Sequence, residues 1–308
     1  MTPGDLAERR NWSLEHKIEY TSEKIREWYE YFDGNVYAAF SGGIDSTVLL
    51  DIARSIYPHL TAVFVNTGLE YPEIKSFVRQ FENVEWLRPK IPFHKVIEQY
   101  GYPVVSKRVS RYVSDLRVVK GNNSATVNLR NTGFNRKGEF CPSMKLSNKW
   151  RFLIGAPFKI SANCCLVMKE APLRHYARIS GKRGITGVTA AESNTRLKTY
   201  LRQGCNAFTL NHPLSSPLGF WEHQDILAYI ASRNLKISEI YGRVVNLTGT
   251  YETTGEQRTG CMFCCFGIHY DSQPNRFQRM AITHPKEYAY CIKTLGIGRV
   301  LDYLNVKY

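Results

Sequence analysis

The sequence predicts an α/β fold, a doubly wound and mostly parallel sheet with a cysteine-containing C-terminal helical subdomain. Short apolar runs at 36–40, 60–65 and 84–87 alternate with amphipathic stretches at 47–57 and 72–81. Strands that alternate with helices at this spacing imply right-handed crossovers in one sheet. The run LTAVFV at 60–65 is apolar throughout, as a parallel strand buried on both faces requires. From Val244 the texture changes to turns, and helical patterns follow at 275–295 and 297–304.

A chain of 308 residues has room for one large α/β domain and an appended subdomain. The expected divisions are an N-terminal helical segment at 1–34, an α/β domain at 35–243 carrying a basic insertion at 107–159, and a CxxC loop with C-terminal helices at 244–308. Residues 13–32 place Ile18, Tyr20, Ile25, Trp28 and Tyr31 among charges at helical spacing. Pro72 stands in the first turn of the 72–81 helix, where its missing N–H costs nothing. Further helices are expected at 91–99, 107–120 (basic) and 142–153. The Asn-rich stretch 121–138 has no period and is expected to be a mobile insertion. Residues 183–188 (RGITGV) are expected to be the last strand of the sheet. The stretch 220–233 is an amphipathic helix with Trp221, Ile226, Leu227 and Ile230 on its apolar face.

Hydrophobic and charged contents of 43% and 22% are those of an ordinary globular protein. No apolar run approaches the roughly 20 residues of a membrane span, and MTPGDLAERRNW lacks the apolar core of a secretory signal. A cytoplasmic protein without membrane contact is expected. Its 8 cysteines then point to metal binding or catalysis rather than disulfides. Charge is unevenly placed. Between Tyr100 and Cys205, 20 Lys/Arg face 4 Asp/Glu, a surplus of 16 in a chain whose net charge is +14. Such a block points to a polyanionic partner, with nucleic acid foremost.

The stretch VYAAFSGGIDSTVLL, 36–50, holds the first chemical motif. A strand runs into Ser41-Gly42-Gly43-Ile44-Asp45-Ser46 and then directly into a helix. Paired glycines expose backbone N–H groups, Ser41 and Ser46 add hydroxyls, and the helix N-terminus favours anions. The combination suits a phosphate or pyrophosphate, although the GxxxxGK[ST] spacing of a Walker loop is absent. Asn66, which ends the second strand, shares the crevice at the carboxyl ends of the strands, where open α/β sheets bind ligands.

The second motif is Cys164-Cys165 with Cys261-x-x-Cys264. A CxxC in a glycine-flanked loop brings two thiolates to one metal or cluster. Adjacent side chains diverge on a strand or helix, so the tandem pair meets one centre only if the backbone kinks or the centre is broad. That favours a cluster of four irons, with zinc and metal-free reactive or structural thiols as alternatives.

SGGIDS resembles the signature of the PP-loop ATP pyrophosphatases, which have a Rossmann-like sheet and cleave ATP between its α- and β-phosphates. CCLVMKEAPL (164–173) with RTGCMFC (258–264) resembles the CC…CxxC signature of the adenylylsulfate reductases, within the phosphoadenosine phosphosulfate (PAPS) reductase family of that superfamily. VNTGLEYPE (65–73), GVTAAES (187–193) and the PL…W…DIL..I pattern at 212–230 extend the likeness over 36–267. The resemblance implies a 4Fe-4S cluster on Cys164, Cys165, Cys261 and Cys264, with Lys169 near both the cluster and the nucleotide phosphates. It implies a nucleotide site on Ser41, Gly42, Gly43, Ile44, Asp45 and Ser46 with Thr67, Gly68, Glu70, Glu192 and Arg196. ATP and Mg2+ are the expected ligands.

Two departures bear on the reaction. The reductases carry a degenerate loop, whereas this chain keeps the full SGGIDS with Asp45. They also carry a nucleophilic cysteine in a C-terminal Glu-Cys-Gly-x-His tail, whereas the last residues here read DYLNVKY. Cys265-Phe266-Gly267-Ile268-His269 is a faint echo of that tail and makes Cys265 a candidate thiol if its pKa is lowered. Cys141, Cys205 and Cys291 carry no assignment, though Cys141 in FCPSMK is a candidate persulfide carrier.

The favoured reading is ATP-dependent adenylation of a nucleic acid, tRNA or DNA, for sulfur insertion, with sulfur from a donor such as a cysteine desulfurase or a thiol reductant. The second is reduction of adenylylsulfate or PAPS to sulfite. The third is a non-catalytic module that binds nucleotide or nucleic acid.

Overall fold

The computed structural model describes residues 1–118, 121–209, 211 and 213–308. Among them the strands are, in chain order, β1 Val36–Ala39, β2 Ala62–Val65, β3 Val84–Leu87, β4 Val104–Val105, β5 Arg183–Thr186, β6 Asn206–Ala207, β7 Leu214–Ser215, β8 Val244–Leu247, β9 Thr250–Thr253 and β10 Cys265–Phe266.

The chain divides into two compact units. The first holds 1–66, 70–88 and 171–259, and the second holds 67–69, 89–170 and 260–308. The breaks expected at 34/35 and 243/244 are not those of the fold. Residues 1–34 belong to the first unit, and the stretch expected as an insertion belongs with the C-terminal helices. Pairing between distant segments decides membership, as where Cys265 on β10 lies opposite Val104 on β4.

The first unit is built on a six-stranded sheet of order β3-β2-β1-β5-β7-β6. All neighbours are parallel except β6 and β7. The α/β expectation therefore holds, but β5 is not the last strand. Two strands of two residues each extend the sheet beyond it, too short to show a period. Ala62, Val63 and Phe64 of β2 are buried, as a central parallel strand requires.

The helix Ile44–Ile56 starts three residues before the expected position, with extended Gly43 (φ −77°, ψ 159°) as its N-cap. The polar loop thus supplies the helix's own first turn. Val48, Leu49, Ile52 and Ala53 pack into the core. The helix Leu14–Tyr31 buries Ile25 and Trp28, and its Ser13 cap accepts from the His16 N–H. Buried polar bonds tie these helices to the helix His223–Arg233 and to Trp221 just before it. Lys17, 2% exposed, pairs with Asp225 at 2.7 Å. The Trp221 indole donates to Thr21 at 2.9 Å, and the Tyr229 hydroxyl to Asp51 at 2.7 Å. Within the turn-rich stretch after Val244, β8 and β9 form a hairpin closed by Thr248 and Gly249, both at positive φ.

In the second unit β4 and β10 pair in parallel. The basic helix runs Lys107–Arg117, and Lys120 of the expected helix lies outside the described residues. The stretch expected to be mobile holds a helix, Ser124–Thr132, which Gly133 ends at φ +89°. In place of an α-helix at 142–153 there are two 3₁₀ turns, Pro142–Met144 and Asn148–Gly155. The C-terminal helices are Arg276–Thr283, Pro285–Ala289 and Ile297–Tyr303. No helix among the described residues is long and apolar enough to cross a membrane.

Removing one member of a buried ion pair strands the other charge. Lys17→Met is therefore expected to lower unfolding free energy by about 3 kcal/mol in urea titration, with Lys17→Met/Asp225→Leu recovering part of the loss.

Candidate functional site

The loop after β1 lies at the point where the sheet's strand order reverses, since β2 flanks β1 on one side and β5 on the other. Gly42 adopts φ +72°, and a Cβ there would lie 2.9 Å from both Ile74 and Val78. Gly187, just past β5, leaves no room either, because its Cβ would stand 2.9 Å from the Asp45 carbonyl oxygen. Glycine is required at both positions for the loop to seat between its neighbours.

Hydroxyls hold the loop's shape. The Ser41 N–H donates to Ser46 Oγ at 3.2 Å, the Ser46 hydroxyl donates to the Gly43 carbonyl at 2.9 Å, and Thr47 Oγ1 reaches the same carbonyl at 2.9 Å. Ser41 and Ser46 hydroxyls lie 3.0 Å apart. The Gly43 cap makes no side-chain cap bond; the Ile44 N–H meets the Tyr241 hydroxyl, and a helix N-terminus of this kind favours an anion.

Asp45 occupies the first helical turn. Burial and the nearby Glu192 carboxylate push it up to about 6, against the pull of the Arg258 and Arg196 guanidiniums. Glu192 and Arg196 form an ion pair on the turn and helix after β5, where Thr189 and Glu192 make a capping box. Asp45, Glu192 and Arg196 are thus drawn together. Arg258 was not picked out as a site residue. Tyr241 was missed too: its hydroxyl bonds Thr259 and lies 3.3 Å from where a Gly43 Cβ would be. Burial pushes its hydroxyl up to about 12, against Thr259 and the Ile44 N–H. A lone Tyr between the 220–233 helix and the turn-rich stretch carries no signal of such a placement.

Glu70 is buried in the first unit, whereas Thr67 and Gly68 belong to the second. The Thr67 hydroxyl accepts from the Leu69 N–H at 3.2 Å, and the Leu69 carbonyl accepts from Met262 within the CxxC at 2.8 Å. His212, from the motif at 212–230, lies outside the described residues.

All four motif cysteines lie in the second unit. Cys164 and Cys165 stand in a helical turn that passes directly into a π-helix, Leu166–Glu170. A backbone irregularity, one of the two conditions under which the tandem pair could meet one centre, is therefore present. Burial and the neighbours Cys261, Cys165 and Cys264 push the Cys164 thiol up, while Lys169 pulls it down. Burial with Cys261 pushes Cys264 up to about 12. The four thiols and Lys169 share one electrostatic neighbourhood. Among the described residues no three His, Cys, Asp or Glu side chains are gathered as a ready-made cage for one ion.

Arg276 supports the CxxC turn and was missed in the sequence. It is clamped by Asp271 at 2.7 and 2.6 Å and donates to the carbonyls of Cys264 at 3.3 Å and Phe266 at 3.2 Å. Cys265 does not suit the expected nucleophile. It is fully buried on β10, and burial with Cys264 and Cys291 pushes its thiol well up, away from the thiolate that attacks. Cys141 is half-buried, with Asn135 Nδ2 3.9 Å from its sulfur. Cys205 is buried beside the Tyr200 hydroxyl at 3.2 Å, and Cys291 is buried.

A family model described as phosphoadenosine phosphosulfate reductase domain matches residues 35–264. An uncharacterized protein of Methanocaldococcus jannaschii is 26% identical over 83% of this chain and 48% of its own length, so this chain spans about half of that relative. An adenosine 5′-phosphosulfate reductase of Lysinibacillus sphaericus is 20% identical over 75% of this chain and 78% of its own. A solved phosphoadenylyl-sulfate (PAPS) reductase of Candida auris, in a phosphate complex, aligns with TM-score 0.41 and 13% identity over 77% of this chain and 95% of that one.

Gly42→Ala is expected to cost about 2–4 kcal/mol through positive φ and overpacking, read as a lowered melting temperature. Asp45 binds its proton more tightly folded than unfolded, so its stabilising contribution is complete below pH 3.8 and is lost as pH rises through about 6. Asp45→Asn should therefore be more stable than wild type above pH 6 by at most about 3 kcal/mol, the difference closing toward pH 4 in unfolding titrations.

Proposed function

Since the chain belongs to the phosphoadenosine phosphosulfate reductase domain family, its model matching 35–264, we propose that this enzyme of the family binds ATP on the SGGIDS loop and adenylates an acceptor in nucleic acid for sulfur insertion. The observation that carries the reading is the complete loop at the reversal of strand order, with Asp45 set beside Glu192, Arg196 and Arg258.

The N–H groups of the loop and helix start would cradle the phosphates leaving as pyrophosphate. An acceptor oxygen forms its bond to the α-phosphorus as the bond to pyrophosphate breaks, giving an adenylated acceptor, and sulfur later displaces AMP. Arg196 and Arg258 would offset the phosphate charge. A buried carboxyl whose proton affinity is raised beside a second carboxylate suits a divalent cation. Asp45 and Glu192 would hold Mg2+, which supplies charge shielding to the phosphates.

Four thiols that share one electrostatic neighbourhood would make an all-sulfur donor set, which selects iron–sulfur clusters or zinc over harder ions. Cys164, Cys165, Cys261 and Cys264 would hold a 4Fe-4S cluster, whose chemistry is electron or sulfur delivery. Lys169 would moderate the thiolate charge, and Arg276 would fix the CxxC carbonyls. The sulfur would come as the terminal sulfur of a persulfide from a donor such as a cysteine desulfurase; its attack expels AMP and leaves a disulfide to the donor, which a thiol reductant then cleaves.

The relative named adenosine 5′-phosphosulfate reductase favours a second reading, reduction of adenylylsulfate or PAPS to sulfite. The burial and raised pKa of Cys265 weigh against that thiol as its nucleophile.

With Mg2+ and RNA or DNA, anaerobically purified protein should be brown and should release pyrophosphate from ATP. Asp45→Ala should lower that release by about 100-fold or more. Unchanged turnover in the variant would refute the mechanism, and sulfite release from adenylylsulfate without pyrophosphate release would select the second reading.

A further inference from the structure

The basic block of the sequence has more than one use. Arg117 donates to the carbonyls of Phe158 and Ala156, and Arg130 pairs with Asp115 at 3.0 Å over the Tyr112 ring. Those cations hold the second unit together. Others in the same unit are exposed and stand among aromatic rings. Trp150 lies 6.2 Å from Phe152 and 5.0 Å from His269, and His269 lies 4.0 Å from Tyr270, between ring centroids. Tyr270 is 84% exposed and Phe152 44%. Lys149 sits 5.0 Å over the Trp150 ring. His269 Nδ1 is buried with no hydrogen-bond partner among the described residues.

A second exposed pair lies close by. Arg151 donates to Asn131 at 3.1 Å, in the helix Ser124–Thr132, which leads into the turn 133–141. Phe134 and Phe140 face each other across that turn at 5.2 Å and are 46% and 57% exposed. Their exposure is enforced. The Lys137 and Glu139 N–H groups both donate to Asn135 Oδ1, and the Cys141 N–H donates to Gly133 at 2.7 Å. Arg136 and Lys137 lie exposed between the rings in sequence.

Rings fixed outward cost apolar exposure in the free protein, so such a patch marks an interaction site. Cations interleaved with the rings specify a polyanion that also offers flat apolar faces. Unpaired bases on a phosphate backbone have both, whereas a duplex hides its base faces. We infer that this face of the second unit binds single-stranded polynucleotide, bases stacking on Trp150, Phe152 and Tyr270 and phosphates meeting Lys149 and Arg151. The inference rests on the reading that the acceptor is nucleic acid, and it names the form in which that acceptor is held.

The test is fluorescence anisotropy of the full chain with labelled oligouridylate, oligothymidylate and a duplex, each about 15 nucleotides long, within single-strand site sizes, and without ATP. One or both single strands should bind more tightly than the duplex, the pair reporting whether the sugar matters. Tyr270→Ala should weaken single-strand binding by about 5- to 100-fold, with Tyr270→Phe retaining it and the melting temperature unchanged. Lys149→Gln should flatten the salt dependence by about 0.7 in log–log slope. Duplex binding as tight as single-strand binding, absence of binding, or an unaffected Tyr270→Ala overturns the inference. Single-strand binding by a protein that releases no pyrophosphate upholds this surface and sinks adenylation. Pyrophosphate release without oligonucleotide binding does the reverse.

Discussion

The close approach of backbone at the carboxyl end of β1 is the constraint on which the first unit depends. Gly42 lies against Ile74 and Val78 of the helix Pro72–Val78, and Gly187 lies against the Asp45 carbonyl. A Cβ at either position would push apart the segments that follow β1, β2 or β5. Because those segments meet there without side chains between them, the helix Ile44–Ile56 can begin inside the loop. Its first-turn Asp45 is then delivered beside Glu192 and two guanidiniums. The geometry explains the electrostatics: a carboxylate held in a crowded, partly dry corner next to another carboxylate gives up its proton less readily, even with two guanidiniums nearby.

The second unit solves a different problem. Its thiols come from sequence segments almost a hundred residues apart, around 165 and 261. The segment after Cys264 is anchored by the β4–β10 pairing and by Arg276, itself clamped by Asp271. The tandem cysteines are placed by a helical turn that lapses into a π-helix. Such wide turns sit at functional sites because they re-aim side chains at the cost of regular hydrogen bonding. A gathering of thiols and a half-buried cationic clamp follow from these few contacts.

Much of this was legible in the residue pattern. β2 announces itself as a continuous apolar run, β3 matches its expected bounds, and SGGIDS marks the strand–loop–helix turn that falls where the strand order reverses. Other elements were not. The two-residue strands β6 and β7 have no period to detect, and the helix Ser124–Thr132 is hidden in a polar Asn-rich stretch because its partners lie elsewhere in the chain. Arg276 and Tyr241 look like any surface Arg and turn Tyr until Asp271 and Thr259 are found beside them.

By itself the sequence determined the α/β class, the position of the glycine-rich loop and the pairing of cysteines into two motifs, since all three are local in the chain. Only the tertiary structure decided how segments group into two units and which basic residues serve packing rather than solvent. It also buried Cys265 and surrounded Asp45 with Glu192, Arg196 and Arg258. The physical reason is one of range. Periodicity and motif spacing act between neighbours along the chain, whereas burial, thiol and carboxyl pKa values and charge pairing are set by atoms brought from far along it.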